Sequence, residues 1–149
     1  MSLNGEVHGD GRRIVFIAPA TVTQAAATYT TTPVLYLAGM MYVAFETIFT
    51  RASGGTTLDA YLQTSLDGGT TWFDIMNHSY VTTDAKKISV TSGYSGTALT
   101  NAPVPVVPGD AALTANTTVP GVMGDRLRMK YVIAGSYVGT FSASALVKG

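Results

Sequence analysis

The chain has 149 residues, a length typical of one domain that can bury a hydrophobic core. Charged residues make up only 12% of it, against about 25% in an average soluble protein, and the formal net charge is zero. The lack of a basic excess argues against nucleic acid as a partner, and the lack of cysteine excludes disulfides and thiolate metal sites. So lightly charged a surface predicts that part of it is covered by a partner protein or by copies of the same chain, as in a homodimer or homotrimer.

The first predicted element is a polar, glycine-rich arm at residues 1–12, which has no hydrophobic periodicity. It lacks the apolar stretch of a secretory signal, and no apolar run in the chain approaches the ~20 residues of a membrane span. We therefore expect no Sec signal and no membrane partner. A single domain is predicted over residues 13–149. It begins with a strand at Arg13–Ala18 that Pro19 closes, followed by an extended link at residues 21–32.

The longest predicted strand, Met40–Thr50, follows a shorter candidate strand at Val34–Ala38. It is apolar on both faces, which predicts a central position in a sheet. Glu46 is the exception in this strand, because a lone buried carboxylate is costly. A later strand supplies cations on its polar side, so the sequence predicts an ion pair of Glu46 with Arg128 or Lys130. A catalytic role for Glu46 is the disfavoured alternative.

The stretch Leu58–Met76 predicts a β-hairpin, because apolar residues alternate with polar ones before the turn sequence Asp67-Gly68-Gly69. Five residues of this hairpin match the Asp-box pattern S-x-D-x-G-x-T-W: Ser65, Asp67, Gly69, Thr71 and Trp72. The carboxylate accepts backbone N–H groups within the turn, and the aromatic ring covers the end of the hairpin. Sialidase propellers carry such boxes in sets, so a single copy predicts a structural turn rather than sialidase activity.

The hairpin is followed by a predicted turn at Asn77–Ser79 and by shorter strands at Tyr80–Thr83 and Lys86–Thr91. Residues 92–124 contain four prolines and no periodicity, which predicts a long surface excursion. Alternation then returns at Leu127–Ile133 and Phe141–Val147 around a glycine-containing turn, and predicts a second hairpin. Roughly eight strands without a helix predict an all-β fold, an antiparallel β-sandwich or jelly roll.

No constellation of residues predicts an enzyme, a metal site or a bound cofactor. His8 and His78 are expected in turns or at the surface, because neither has carboxylates at the spacing of metal ligands. Asp59 and Asp74 are expected at solvated positions rather than as the carboxylate pair of a glycosidase. Three aromatic residues would suit a sugar-binding platform: Tyr61, Trp72 and Tyr80. Ordinary cross-strand packing of these rings is the favoured interpretation.

Two segments, Thr56–Ile75 and Gly124–Val147, resemble a group of small structural proteins of tailed bacteriophages. The resemblance lies in the hairpin pattern D-x-Y-x-Q-T-S-x-D-G-G-x-T-W and in a later strand G-D-R-L-R-x-K before a glycine-rich turn. It covers roughly a third of the chain and includes no catalytic residue. It implies a capsid decoration (cement) protein, a β-sandwich that is assembled in the host cytoplasm. On the virion it would bind the outer surface of the head and clamp subunits of the major capsid protein.

Two other structural roles stay open. One is a tail or tail-tip protein with carbohydrate-binding activity, and the other is a tail-tube or head-completion protein that forms rings or tubes. For a decoration protein, we expect the arm at residues 1–12 and the excursion at residues 92–124 to make most contacts with the shell. Both segments lack periodicity in an otherwise ordered chain, and such segments suit ordering on assembly.

Overall fold

The computed structural model describes residues 11–24, 27–33, 40–92, 107–108 and 111–149. These residues contain nine β-strands: β1 Arg12–Gln24, β2 Ala27–Thr30, β3 Tyr42–Gly54, β4 Thr57–Ser65, β5 Phe73–Tyr80, β6 Ala85–Ser92, β7 Val107–Pro108, β8 Arg126–Ala134 and β9 Tyr137–Lys148. The part of the chain that the structure describes includes no helix that would cross a membrane. The predicted strand Val34–Ala38, residues 1–10 of the predicted arm and residues 93–106 of the predicted excursion lie outside the described residues.

The strands form two antiparallel sheets that pack face to face. Sheet A has the strand order β1-β9-β3-β6, and sheet B has the order β2-β8-β4-β5-β7. In each sheet a late strand, β9 or β8, lies between two strands from the first half of the chain. Eight longer strands in this order form a jelly roll, to which the two-residue β7 adds a ninth. The predicted all-β sandwich is confirmed, and so is the central position of the longest strand, since β3 lies between β9 and β6.

The core lies between the facing surfaces of the two sheets and is rich in aromatic rings. Phe49 of sheet A packs against Tyr80, with ring centroids 5.3 Å apart, and against Tyr137 at 5.1 Å. Phe141 contacts Tyr131 of the opposite sheet at 5.9 Å. Each such pair contributes about 0.5–1.5 kcal/mol beyond the area that it buries. These contacts hold the two sheets together, so their other faces point outward.

Several predicted strand ends and turns are wrong. β1 continues past Pro19 to Gln24, and its register against β9 shifts between Ile17 and Ala20. Proline is tolerated there because β1 is an edge strand with an irregularity at this point. β1 also begins at Arg12, within the predicted arm. The predicted turn Asn77–Ser79 lies instead within β5, where two of its three side chains are buried.

The predicted second hairpin is also wrong, because β8 and β9 belong to different sheets. Their glycine-containing connection carries the chain from sheet B to sheet A. It lies against the connection from β3 to β4, where Gly55 has a φ of 79°. A Cβ atom on Gly55 would overlap the ring of Tyr137, and one on Gly54 would overlap the carbonyl oxygen of Ser136. Glycine at these two positions thus allows the two connections to pack directly.

Candidate interaction surface

The outer face of sheet A exposes a group of large apolar side chains. We name the outward-facing residues of this sheet the A face: Arg13, Val15, Tyr42, Ala44, Glu46, Ile48, Lys86, Ile88, Val90, Ser142, Ser144, Leu146 and Lys148. Alternation explains why they point outward, since the residues between them on β3 and β9 fill the core. Six large apolar side chains of the A face are exposed: Val15, Tyr42, Ile48, Ile88, Val90 and Leu146.

The register of the strands arranges these residues in rows. Residues directly opposite each other in antiparallel strands are neighbours on the same face. One row, read across β6, β3, β9 and β1, contains Val90, Ala44, Leu146 and Arg13. The next row contains Ile88, Glu46, Ser144 and Val15. Val90, Ala44 and Leu146 therefore form a continuous apolar row across β6, β3 and β9. In the next row Ile88 and Val15 lie on either side of Glu46 and Ser144.

A cavity of about 340 Å³ lies in the middle of the A face. Its walls come from all four strands of sheet A: Arg13, Ala44, Glu46, Ile88, Ser144, Ala145 and Leu146. Aliphatic groups supply most of the lining, and two charged residues, Arg13 and Glu46, line the same cavity. The arrangement suits a branched apolar group that carries a charge.

Glu46 has the cationic partner that the sequence predicts, but the predicted identity of that partner is wrong. Its Oε2 atom lies 2.8 Å from Nζ of Lys86 on the neighbouring strand β6. Arg128 and Lys130 lie on β8 in the other sheet. Glu46 is half-exposed on the A face, so this surface ion pair contributes about 0–1 kcal/mol. Its main effect is to neutralise the one carboxylate of the A face.

The outer face of sheet B has the opposite character, since it is largely polar and has no exposed residue among those named below. We name these residues the B face: Asp59, Tyr61, Gln63, Asp74, Asn77, Arg128, Lys130 and Val132. Gln63 and Asp74 are fully buried, and Asn77 is nearly so. Burial raises the pKa of Tyr61 to about 12, and the carboxylates of Asp59 and Asp74 add to the effect. The predicted solvation of Asp74 is therefore wrong.

Residues 111–121, which we name the strap, cover the B face at β5. Asp74 binds the start of the strap, because its Oδ2 atom accepts hydrogen bonds from the backbone N–H groups of Ala112, at 3.0 Å, and Leu113, at 3.1 Å. The Asn77 side-chain amide donates to the carbonyl oxygen of Leu113 at 2.8 Å. Buried polar side chains require such fixed partners. The described end of the predicted excursion is thus held firmly on sheet B.

The strap also joins the two sheets at one edge of the sandwich. The backbone N–H of Val119 donates to Ile75 of β5 at 2.8 Å. On the other side, the hydroxyl of Thr91 in β6 donates to the Val119 carbonyl at 3.1 Å. The N–H of Gly121 donates to the Ser92 carbonyl at 2.8 Å. The strap therefore occupies backbone groups of both strands on this side of the sandwich.

The predicted Asp-box is confirmed at the end of the β4–β5 hairpin. Oδ1 of Asp67 accepts hydrogen bonds from the N–H of Thr71 at 2.8 Å and from the hydroxyl of Ser65 at 2.9 Å. Ser65 Oγ accepts from the N–H of Gly69 at 2.8 Å, and the Trp72 indole donates to the Gly69 carbonyl at 3.0 Å. The bonds from Thr71, with smaller contributions from Ser65 and Thr70, lower the pKa of Asp67 to about 2. The box fixes a turn.

The aromatic residues suggested as a sugar platform are buried, and their interpretation as packing is confirmed. The guanidinium of Arg128 lies 4.3 Å from the centre of the Trp72 ring and covers it. Arg128 Nε donates to Oε1 of Gln63 at 2.7 Å, and the Gln63 amide donates to Oδ1 of Asp74 at 2.6 Å. Trp72 therefore begins a chain of contacts that ends at the strap, and its face is not available to a ligand.

His78, predicted in a turn or at the surface, lies instead inside the sandwich on β5. Its Nδ1 atom lies 2.7 Å from the Thr47 hydroxyl, and its Nε2 atom lies 2.8 Å from the Ser89 hydroxyl, both in sheet A. Burial, with a smaller effect of Lys87, lowers its pKa to about 4. A neutral imidazole between two hydroxyls is a cross-link between sheets and a weak base near neutral pH. No three His, Asp or Glu side chains among the described residues could hold a metal ion.

No family model matches the chain, and no curated protein sequence does either. Among solved structures, the chain is similar to one described as the crystal structure of infectious bursal disease virus VP2 subviral particle, with a TM-score of 0.44 and 14% sequence identity. The match covers 99% of this chain and 36% of the viral chain. The chain therefore spans about a third of the length of that viral protein.

Sequence reasoning missed the A face, although a signal for it was present. The apolar character of both faces of Met40–Thr50 predicts its central position in a sheet, but it does not show that two side chains of its outer face, Tyr42 and Ile48, are exposed among the described residues. The alternation of Lys86, Ile88 and Val90 in β6 gives the same signal. An apolar outer face on two neighbouring strands indicates either a covering segment of the same chain or an interface.

Proposed function

We propose that this chain is a capsid decoration protein of a tailed bacteriophage. It binds the outer surface of the head through the A face and stabilises contacts between subunits of the major capsid protein. The observation that carries the proposal is the exposure of six large apolar side chains in adjoining rows of one sheet. Contiguous apolar surfaces of this kind mark sites of protein interaction.

Three further properties support this function. The resemblance at Thr56–Ile75 and Gly124–Val147 is to structural proteins of phage virions. The chain is lightly charged, as suits a protein that is covered by its neighbours. The A face lies on a sandwich whose strands are fixed by the aromatic core, so little conformational entropy is lost on binding. A decoration protein requires adhesion and no catalytic group.

The direct test uses heads assembled from the major capsid protein of the same virus without this chain. The chain is added in increasing amounts, the heads are sedimented, and the bound fraction is measured before the heads are heated. We expect saturable binding in a fixed ratio to capsid subunits, and a higher temperature of head disruption. Failure of the unaltered chain to bind such heads would overturn the proposal.

A matched pair of variants tests whether the A face makes the contact. Val90 on the A face and Leu66 at the tip of the Asp-box turn are similarly exposed, at 64% and 62%. Val90→Asp places a charge in the proposed interface and should abolish sedimentation with heads, whereas Leu66→Asp should bind as the unaltered chain does. Rings or tubes formed by the chain alone, without binding to heads, would indicate the tail-tube role instead.

A further inference from the structure

We infer that the cavity in the A face is an anchor site for an acidic side chain, Asp or Glu, that is flanked by aliphatic residues on a protruding segment of the partner protein. The inference deepens the proposed function, because it takes the capsid subunit as that partner. The cavity lies where the two apolar rows meet, with Ile88 on one side and Leu146 on the other. At about 340 Å³ it lies at the small end of the range of ligand pockets, about 300–1,000 Å³, and it can accommodate one or two side chains.

The charges around the cavity specify the sign of its occupant. The A face carries three cations, Arg13, Lys86 and Lys148, and one carboxylate, Glu46, which gives a net charge of +2. Lys86 already neutralises Glu46 at 2.8 Å. The guanidinium of Arg13 has no hydrogen bond or ion pair with another described residue. A carboxylate is the group that a guanidinium binds best, through two parallel hydrogen bonds.

The strand register places Arg13 next to the aliphatic walls of the cavity. Arg13 lies directly opposite Leu146 in the register of β1 and β9, and Leu146 lies opposite Ala44 of β3. A partner carboxylate bound to Arg13 would therefore place a neighbouring Leu, Ile or Val side chain of the partner against Ala44, Leu146 and Ile88. A basic partner would meet repulsion from Arg13. A second copy of this chain is disfavoured for the same reason, since two A faces would each bring a net charge of +2.

The first experiment uses a small probe, so that it does not depend on the capsid. N-acetyl-leucine, which joins a carboxylate to an isobutyl group, is titrated into the full chain at neutral pH and followed by NMR. N-acetyl-leucinamide has the same shape without the charge. We expect saturable shifts at Ile88 and Leu146 with the acid, and binding of the amide to be weaker by about tenfold. Equal binding of acid and amide, shifts elsewhere, or no shifts would overturn the inference.

Arg12 supplies a matched control, because it precedes Arg13 on the same strand and lies opposite Val147 of the core rather than opposite Leu146. Arg13→Gln should remove the preference for the acid over the amide, and Arg12→Gln should retain it. An unchanged preference in Arg13→Gln would overturn the assignment of Arg13. Since both arginines are exposed near the start of β1, neither change should affect folding.

A second experiment separates the anchor from the proposed function. On capsid heads, Arg13→Glu should weaken binding by about tenfold or more, and Arg12→Glu should bind as the unaltered chain does. If heads bind Arg13→Glu normally, the anchor is wrong and the decoration role stands. If heads bind neither the unaltered chain nor its variants but the NMR preference holds, the decoration role is wrong and the carboxylate site stands.

Discussion

The two outer faces of the sandwich reverse the usual relation between polarity and burial. The B face consists largely of polar residues, and its part on β5 is buried beneath the strap, whereas the A face carries six exposed large apolar side chains. Buried polar groups are costly without hydrogen-bond partners, and on the B face Gln63 and Asp74 have such partners in Arg128, in each other and in the strap. The B face therefore requires hydrogen-bond partners from other parts of the chain. The apolar side chains of the A face require no such partners, and their exposed area is accessible for binding.

The two faces affect the stability of the isolated chain in opposite directions. Asp74 accepts three hydrogen bonds from Gln63 and the strap, so its removal would leave several buried donors unpaired. The exposed apolar side chains of the A face instead leave apolar area in water that a partner could bury, at about 25 cal/mol per Å². Substitutions on the B face should accordingly change stability, and those on the A face should change binding.

The largest expected effect is that of Asp74→Ala on the B face. It removes the acceptor for Gln63 and for two backbone groups of the strap, and should lower the free energy of unfolding by about 3–4 kcal/mol. Urea denaturation followed by circular dichroism measures this change. Asp125→Ala is the control, because Asp125 is exposed and lies 3.7 Å from Arg126. Equal stability of the two variants would contradict the importance of the buried polar face.

Acidification should destabilise the fold through His78. This buried residue lies on β5, the strand that also carries Asp74 and Asn77 of the B face. The pKa of His78 is lowered from 6.5 to about 4 in the folded chain, so the unfolded chain binds a proton first. Stability is therefore complete above about pH 6.5 and falls as the pH drops towards 4, by about 2–3 kcal/mol. His78→Gln should flatten the stability profile between these pH values. A parallel loss in this variant and the unaltered chain would assign the effect to another group.

Asp67→Asn in the Asp-box turn should have a smaller effect, with a different dependence on pH. The folded-state pKa of about 2 is lowered by the hydrogen bonds from Thr71, so the carboxylate stabilises the fold above about pH 4 and this contribution is lost as the pH falls to 2. The variant should melt below the unaltered chain at pH 7. The difference in melting temperature should disappear near pH 2, and a difference that persists there would indicate a role beyond the ionised turn.

The smallest effect on stability is expected on the A face. The double change Ile88→Thr and Val90→Thr keeps the β-branched shape of two exposed side chains, and should alter the free energy of unfolding by less than about 0.5 kcal/mol. Binding to heads should nevertheless fall, because apolar area is lost from the interface. Strong destabilisation in urea would show that the A face contributes to the fold, and would remove the contrast between the two faces.

Local patterns in the sequence predict much of this structure. The Asp-box is predictable because its hydrogen bonds join residues two to four positions apart, such as Ser65 with Asp67 and Asp67 with Thr71. Period-two alternation likewise predicts β4, β8 and β9 to within a few residues. It also predicts a sandwich, since one face of most of these strands is apolar.

What could not be predicted depends on contacts between distant parts of the chain. Lys86 reaches Glu46 across 40 positions, because β6 pairs with β3, and alternation carries no information about which strands pair. Asp74 is buried by strap residues 38 and 39 positions away. A tight turn of glycine and small residues also has the same appearance whether it joins paired strands or, as between β8 and β9, strands of opposite sheets.

The strand order also constrains when the fold can form during synthesis. β8 separates β2 from β4, and β9 separates β1 from β3, so neither sheet is continuous in the first 125 residues. A nascent chain of that length can pair β3 with β6 and β4 with β5, but β1 and β2 still lack their neighbours. Such long-range pairing is slow and leaves strand edges open to other chains. The A face is completed only when β9 inserts between β1 and β3, so a chain that stops before β9 lacks a complete A face.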